Sequence, residues 1–232
     1  MVQSYPSFTE NSHEAFKNGL FLQQMLKETL REMERNAAQQ SGVNASRLDA
    51  LNGLADWVAR HPRTGPINLV FICTHNSRRS HFGQLWAQAA AWHFELNDVH
   101  TFSGGTEATA FNPRAVHAMQ ELGVGIEVIR EGENPYYTVQ LQRERTPIVV
   151  FSKEYGHSAN PQSGYAAVMV CGSADAGCPV VHGAAARFSI PYVDPKVSDG
   201  TDAEQATYRE RSMEIGTELF YVMARAAELR AQ

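Results

Sequence analysis

The chain is poor in cysteine, in long apolar runs and in net charge, and each shortage excludes a class of protein. It has 3 Cys among 232 residues, too few and too odd a number for a disulfide framework. No apolar run is long enough to cross a membrane, so we expect no membrane partner. A net charge of -5 predicts no general affinity for nucleic acid. Because the first residues lack a basic and then apolar pattern, we expect a cytoplasmic protein with reduced thiols.

From Ile67 onward, the sequence alternates between strand patterns and helix patterns. Alternating elements predict a parallel sheet with helices on both faces, that is, a three-layer α/β/α sandwich. The apolar or alternating runs predict strands at 67–72, 99–103, 124–130, 166–171 and 189–193, and a hairpin of 136–141 with 147–152. Helices are predicted at 81–94, 114–122 and 204–229, with Asn112 and Pro113 starting the second of these.

Residues 1–64 form a different unit, which we predict to be an N-terminal helical extension of an α/β domain at 65–232. Apolar residues recur there at three- and four-residue steps up to Ala37, as on one face of a helix. The sequence from Ser46 to Asp49 predicts a capping box for a second helix ending near Arg60. We expect this pair of helices to pack on the main domain or on a second copy of the chain, which would make a homodimer.

The most informative segment runs from Cys73 to Ser80 and lies between a predicted strand and a predicted helix. The backbone N–H groups of such a turn, together with the helix N-terminus, point at one place where an anion can bind. Their positive field favours the thiolate form of Cys73, the form that acts as a nucleophile. Arg79 can hold two oxygens of the anion in its planar fork. The anion-binding candidates are therefore the loop residues and this arginine: Thr74, His75, Asn76, Ser77, Arg78 and Arg79.

The other two cysteines, Cys171 and Cys178, are separated by six residues. If those residues are helical, the two Cα atoms lie roughly 10 Å apart, whereas a disulfide needs a separation under about 7 Å. A bond between them would thus require the segment to unwind. Both cysteines can instead be small buried apolar residues, or ligands of a metal site with His182.

Asp194-Pro195 follows the last predicted strand. A carboxylate at the carboxyl end of a strand can reach an anion held near Cys73, where it can protonate a leaving oxygen. An aspartate before a proline is also an ordinary turn former.

These motifs resemble the low-molecular-weight protein tyrosine phosphatase superfamily, and within it the thioredoxin-coupled arsenate reductases. The matching segments are Cys73 to Ser80, the Ser103 to Glu107 segment, Asn112 to Ala115, and Asp194-Pro195. The reductases add two cysteines, the second followed by proline, as in Cys171 and Cys178-Pro179. Residues 1–64 have no counterpart in the family, and the chain is longer than usual near 131–164.

The resemblance implies a catalytic set of Cys73, Arg79, Ser80, Asp194, Cys171 and Cys178, with a redox-active disulfide between the last two. It implies reduction of arsenate to arsenite, with thioredoxin or a similar protein as the reductant and with no metal and no prosthetic cofactor. Two alternatives stay open. A tyrosine or small-molecule phosphatase would use Cys73, Arg79 and Asp194 alone, and a non-catalytic redox or anion sensor would use the loop only for binding.

Overall fold

The computed structural model describes residues 10–39, 44–62, 64–177 and 180–232. Within these ranges the chain alternates strands and helices from residue 67 onward, as predicted. The helices are α1 (Glu10–Ala38), α2 (Ala45–Arg60), α3 (Arg79–His93), α4 (Pro113–Gln120), α5 (Gly172–Gly177) and α6 (Glu204–Ala231). The strands are β1 (Ile67–Cys73), β2 (Val99–Gly105), β3 (Gly125–Arg130), β4 (Tyr136–Gln140), β5 (Ile148–Val150), β6 (Tyr165–Met169) and β7 (Ala184–Ser189).

A parallel sheet in the strand order β2-β1-β6-β7 forms the centre of the molecule. Strand β1 lies inside this sheet, so its apolar run is buried on both faces. Helix α3 packs against β1 and β2, and α6 packs against α3. The predicted parallel sheet flanked by helices is confirmed. All four strands end at the same edge, and Cys73 lies there beside Gly105 of β2.

Helices α1 and α2 pack on α6 and share its core. Leu30 and Met33 of α1 and Leu51 and Leu54 of α2 belong to the same buried cluster as the strands. Gly216 of α6 leaves the space that the Met33 side chain fills. The helical extension and the α/β domain predicted from the sequence therefore have one continuous core.

Two local predictions were wrong. A strand was expected at 189–193, whereas β7 ends at Ser189, and beyond it only the N–H groups of Ile190 and Tyr192 bond to the segment that follows β6. Helix α2 begins without the predicted capping box, since Asn44 is its N-cap and the Asn44 side chain accepts from the Ser46 N–H. The predicted hairpin did form, as β4 and β5, and β3 joins it in a separate antiparallel sheet.

Candidate active site

The Cys73 loop, residues 73–79, turns the chain from the end of β1 into the start of α3. Strand β2 closes it on one side, where Thr106 donates its N–H to the Cys73 carbonyl at 3.1 Å and Glu107 donates to the Thr74 carbonyl at 2.8 Å. This approach requires glycine at position 105, because a Cβ there would lie 2.7 Å from the Asn76 nitrogen. The loop is thus packed against the edge of the sheet.

The Cys73 thiol is buried and lies 3.0 Å from the Ser80 hydroxyl. The side-chain amide of Asn76 donates to the same hydroxyl oxygen at 2.9 Å. Because the Ser80 oxygen accepts this bond, its own hydrogen is available for the Cys73 sulfur. Asn76 and Ser80 therefore form a connected pair of side chains beside the Cys73 sulfur.

Asn76 is the apex of the loop and has a left-handed backbone, with φ of 43°. Its side-chain oxygen accepts the backbone N–H of Lys153 at 2.8 Å, and its carbonyl lies 3.0 Å from Nε2 of His81. Burial, and secondarily the charge of Lys153, lowers the pKa of His81 to about 3. A neutral His81 then donates from Nε2 to Asn76 and accepts from the Ser103 hydroxyl at Nδ1, 3.4 Å away.

The segment after β5 supports the loop from outside. Ser152 donates its hydroxyl to the His75 carbonyl at 3.1 Å and accepts the Thr109 N–H at 2.9 Å. The side chain of Asn134 brackets the Ser152 backbone, donating to its carbonyl at 2.8 Å and accepting from its N–H at 3.2 Å. Asn134 and Ser152 were missed by sequence reasoning, since no spacing links them to the loop. Residues 131–164 therefore contact the anion loop directly.

Arg79 and Asp194 form an ion pair at the loop. One terminal nitrogen of Arg79 donates to the Asp194 carboxylate at 2.6 Å, and the other donates to the Tyr192 carbonyl at 2.9 Å. The second Asp194 oxygen accepts the Lys196 N–H at 3.1 Å and so caps the 3₁₀ turn Pro195–Ser198. The structure thus places two pairs at the Cys73 loop, Cys73 with Ser80 and Arg79 with Asp194, and their catalytic roles stay a prediction.

Arg78 contacts a different set of groups. Its Nε donates to the Tyr208 hydroxyl at 2.8 Å, and that hydroxyl donates to Asp199 at 2.8 Å. The Arg78 guanidinium also lies 3.7 Å from Asp199 and 4.0 Å from Asp194. Burial and the hydrogen bond to Asp199 raise the pKa of Tyr208 to about 12, so this phenol remains a donor at neutral pH. The guanidinium of Arg78 therefore links the loop to α6.

The remaining loop residues, Ser77, His75 and Thr74, contact the groups around the loop. Ser77 accepts the Asn112 N–H through its carbonyl at 2.9 Å, at the start of α4. His75 is half exposed, and its Nε2 lies 3.8 Å from the Glu107 carboxylate. Thr74 places its hydroxyl 3.5 Å from the sulfur of Cys171.

Cys171 is buried beside the loop, 1% exposed, and its sulfur accepts the Ala174 N–H at 3.4 Å. Cys178 and Pro179 lie outside the described residues. In the described part of the chain, no cluster of three or more His, Cys, Asp or Glu side chains is placed to hold a metal ion. No helix of that part is both long and apolar enough to cross a bilayer.

Comparisons with known proteins find sequence relatives and structural neighbours of this chain. No family model matches the chain. An arsenate reductase of Halalkalibacterium halodurans is 28% identical over 149 residues, which are 64% of this chain and 88% of that protein. The arsenate reductase of Bacillus subtilis is 27% identical over 152 residues, 65% of this chain and 91% of its own length. These similarities agree with the resemblance to the low-molecular-weight phosphatase superfamily, and the curated relatives are named arsenate reductases.

The solved structures that are similar to this chain include a phosphatase and a reductase. A low-molecular-weight phosphotyrosine phosphatase from Vibrio cholerae gives a TM-score of 0.44 at 14% identity, covering 68% of this chain and 95% of that one. A thioredoxin-dependent arsenate reductase from Corynebacterium glutamicum gives a TM-score of 0.36 at 16% identity, covering 84% and 92%.

Proposed function

We propose that this enzyme reduces arsenate to arsenite through a relay of three cysteines. The observation that carries the proposal is the position of Cys171. This residue is buried, and its sulfur lies 3.5 Å from the hydroxyl of Thr74, the residue that follows the nucleophile. A phosphatase does not need a second thiol at this place. Arsenate is a tetrahedral oxyanion that suits the N–H groups of the Cys73 loop and the fork of Arg79.

In the first step the Cys73 thiolate attacks arsenic and Asp194, in its protonated form, gives a proton to the departing oxygen, which leaves as water. In the second step Cys171, as a thiolate, attacks the Cys73 sulfur. A Cys73–Cys171 bond forms, the sulfur–arsenic electron pair stays with arsenic, and arsenite leaves. Cys178 then attacks Cys171, which frees Cys73 and leaves a Cys171–Cys178 disulfide. The two electrons come from two thiols, and a thioredoxin-type dithiol in a reducing cytoplasm restores them.

Helix α5 occupies the six residues between Cys171 and Cys178. At about 1.5 Å per residue this helix is too long for a disulfide to bridge, so oxidation must unwind it. Its glycines make it a weak helix. Asp175 ties it to β7 through Arg187 and through the Ser189 hydroxyl, which donates at 2.7 Å. Oxidation therefore also has to break the contacts of Asp175.

Mass spectrometry of the arsenate-treated protein tests the relay. Cys178→Ser should permit one turnover and trap a Cys73–Cys171 disulfide, whereas Cys171→Ser should release no arsenite. Both variants should keep the hydrolysis of an aryl phosphate, the matched control reaction, because that reaction needs only Cys73, Arg79 and Asp194.

The alternative is a phosphatase that works through a phosphocysteine on Cys73, and the complete Arg79–Asp194 pair favours it as the second candidate. Aryl phosphatase activity in the wild type without any disulfide at Cys171 after arsenate treatment would replace the reductase proposal with this one.

A further inference from the structure

Arg47 of α2, in the N-terminal extension, contacts the segment that precedes Asp194. Its guanidinium makes a bidentate pair with Glu218 of α6, with Nε at 2.9 Å and a terminal nitrogen at 2.7 Å from the two carboxylate oxygens. The other terminal nitrogen donates to the Pro191 carbonyl at 2.9 Å. The face of the guanidinium covers the Tyr192 ring at 4.4 Å. Arg47 thus contacts two consecutive residues, Pro191 and Tyr192, in the segment before Asp194.

These contacts matter because the acid segment, residues 190–194, lies beyond the end of β7. Its N–H groups at Ile190 and Tyr192 bond to the carbonyls of Met169 and Val170, at 2.9 and 3.1 Å. The Tyr192 carbonyl accepts from Arg79. One face of the segment is therefore fixed by the sheet, and Arg47 fixes the Pro191 carbonyl and the Tyr192 ring.

Helix α2 is itself firmly placed. Gly53 lies against the Phe188 ring of β7, where a Cβ would be at 3.5 Å, and Asn52 accepts from the Tyr221 hydroxyl at 2.7 Å. Arg47 is 18% exposed and Glu218 is 12% exposed. An ion pair this well covered and bidentate holds its geometry better than an exposed one.

We propose that Arg47 is a positioning residue that sets the place of Asp194, through Pro191 and Tyr192, for proton donation to the leaving oxygen. The inference rests on the proposed function, since it assigns to residues 1–64 a role in the same site. Lysine cannot replace arginine here, because a single ammonium cannot pair with Glu218, bond to Pro191 and stack on Tyr192 together.

The test uses the dependence on the leaving group, in the full-length enzyme. Phenyl phosphate has a poor leaving group that needs protonation, whereas 2,4-dinitrophenyl phosphate has a good one that does not. Arg47→Met and Arg47→Lys should lower kcat on phenyl phosphate about tenfold, as expected for a misplaced proton donor, and change kcat on the dinitrophenyl ester less than about twofold. Arg60→Met is the matched control, because Arg60 lies on the same helix and its ion pair is with exposed Asp56.

Two further measurements separate positioning from a general loss of folding. In an Asp194→Asn background, Arg47→Met should add less than a twofold loss on phenyl phosphate, because the two changes act on one step. Hydrogen exchange of the amides at 192–198 should become about tenfold faster in Arg47→Met and stay unchanged in Arg60→Met.

Equal losses on both esters, or full additivity with Asp194→Asn, would overturn the inference, because a merely structural role lowers the active fraction for every substrate alike. A wild type that acts on neither arsenate nor aryl phosphates would instead overturn the proposed function. Exchange at 192–198 then decides the role of Arg47 by itself, and unchanged exchange in Arg47→Met would refute it.

Discussion

Replacing Asn76 by alanine should be the most damaging single change in the Cys73 loop. The Asn76 side chain is fully buried and joins two partners, the Ser80 hydroxyl at 2.9 Å and the Lys153 N–H at 2.8 Å. Alanine leaves the Lys153 N–H without an acceptor, at a cost of about 1–3 kcal/mol. It also places a Cβ without a compensating hydrogen bond in the left-handed region, which costs about 1 kcal/mol more.

Together with the lost bond to Ser80, of about 1 kcal/mol, Asn76→Ala should lower the free energy of unfolding by about 3–5 kcal/mol. In a urea titration this corresponds to a midpoint lower by about 1–2 M. Asn76→Gly should lose about 1 kcal/mol less, because glycine accepts the positive φ without strain.

Ser80→Ala separates the effect on kcat from the effect on the free energy of unfolding. It removes the hydroxyl that faces Cys73 but leaves Lys153 paired with Asn76, so its loss of stability should be smaller than that of Asn76→Ala. Both variants should lower kcat by a similar factor if Asn76 acts on Cys73 through Ser80. An Asn76→Ala protein that unfolds within about 1 kcal/mol of the wild type, or that keeps a wild-type kcat while Ser80→Ala loses activity, would refute the reasoning.

Two other predictions concern groups around the loop. His81 has a pKa of about 3 in the folded protein against 6.5 as a model value, so the unfolded chain binds the extra proton between these limits. Stability should therefore fall as pH drops from 6.5 towards 3, by up to about 1.4 kcal/mol per pH unit. His81→Phe should reduce the dependence of the unfolding free energy on pH, as measured by urea titrations. An unchanged dependence would show that a group other than His81 titrates. Arg79→Ala should abolish both phosphate binding and turnover, whereas Arg78→Ala should chiefly lower stability through the lost bond to Tyr208, which calorimetric phosphate titration and urea unfolding distinguish. Equal loss of phosphate binding in both variants would contradict this division of roles.

Local signals explain why some parts of this molecule are predictable from sequence. Strand β1, the turn at Cys73 and the start of α3 follow from an apolar run and from a few neighbouring residues. Asn112 was predicted as a helix cap because a cap involves residues two positions apart. Strand β7 was missed because its alternating small residues, Ala184 to Ser189, are less apolar than the next four. In 189–193 the buried residues are Ile190 and Tyr192, whose N–H groups bond to Met169 and Val170 beyond the end of β7.

Contacts between distant segments are the part that the sequence did not reveal. Arg47 lies 144 positions from Pro191, and Ser152 lies 77 positions from His75. Nothing in their local sequence distinguishes them from other surface residues. Because both bond to backbone carbonyls, even the chemical type of their partners leaves no trace in the sequence.

The two segments that enlarge this chain support different halves of the site. The apex of the Cys73 loop bonds to α3 through Ser80 and His81, which contact Asn76. The segment after β5 adds a second support, since Ser152 and Lys153 bond to His75 and Asn76. Arg47 does the same for the stretch before Asp194. Both supports act on backbone or on non-reacting amide groups, so the reacting set of Cys73, Arg79 and Asp194 needs no change to accept them. The position of these groups, and with it the anion that fits, can therefore be altered in this chain by changes that touch no catalytic residue.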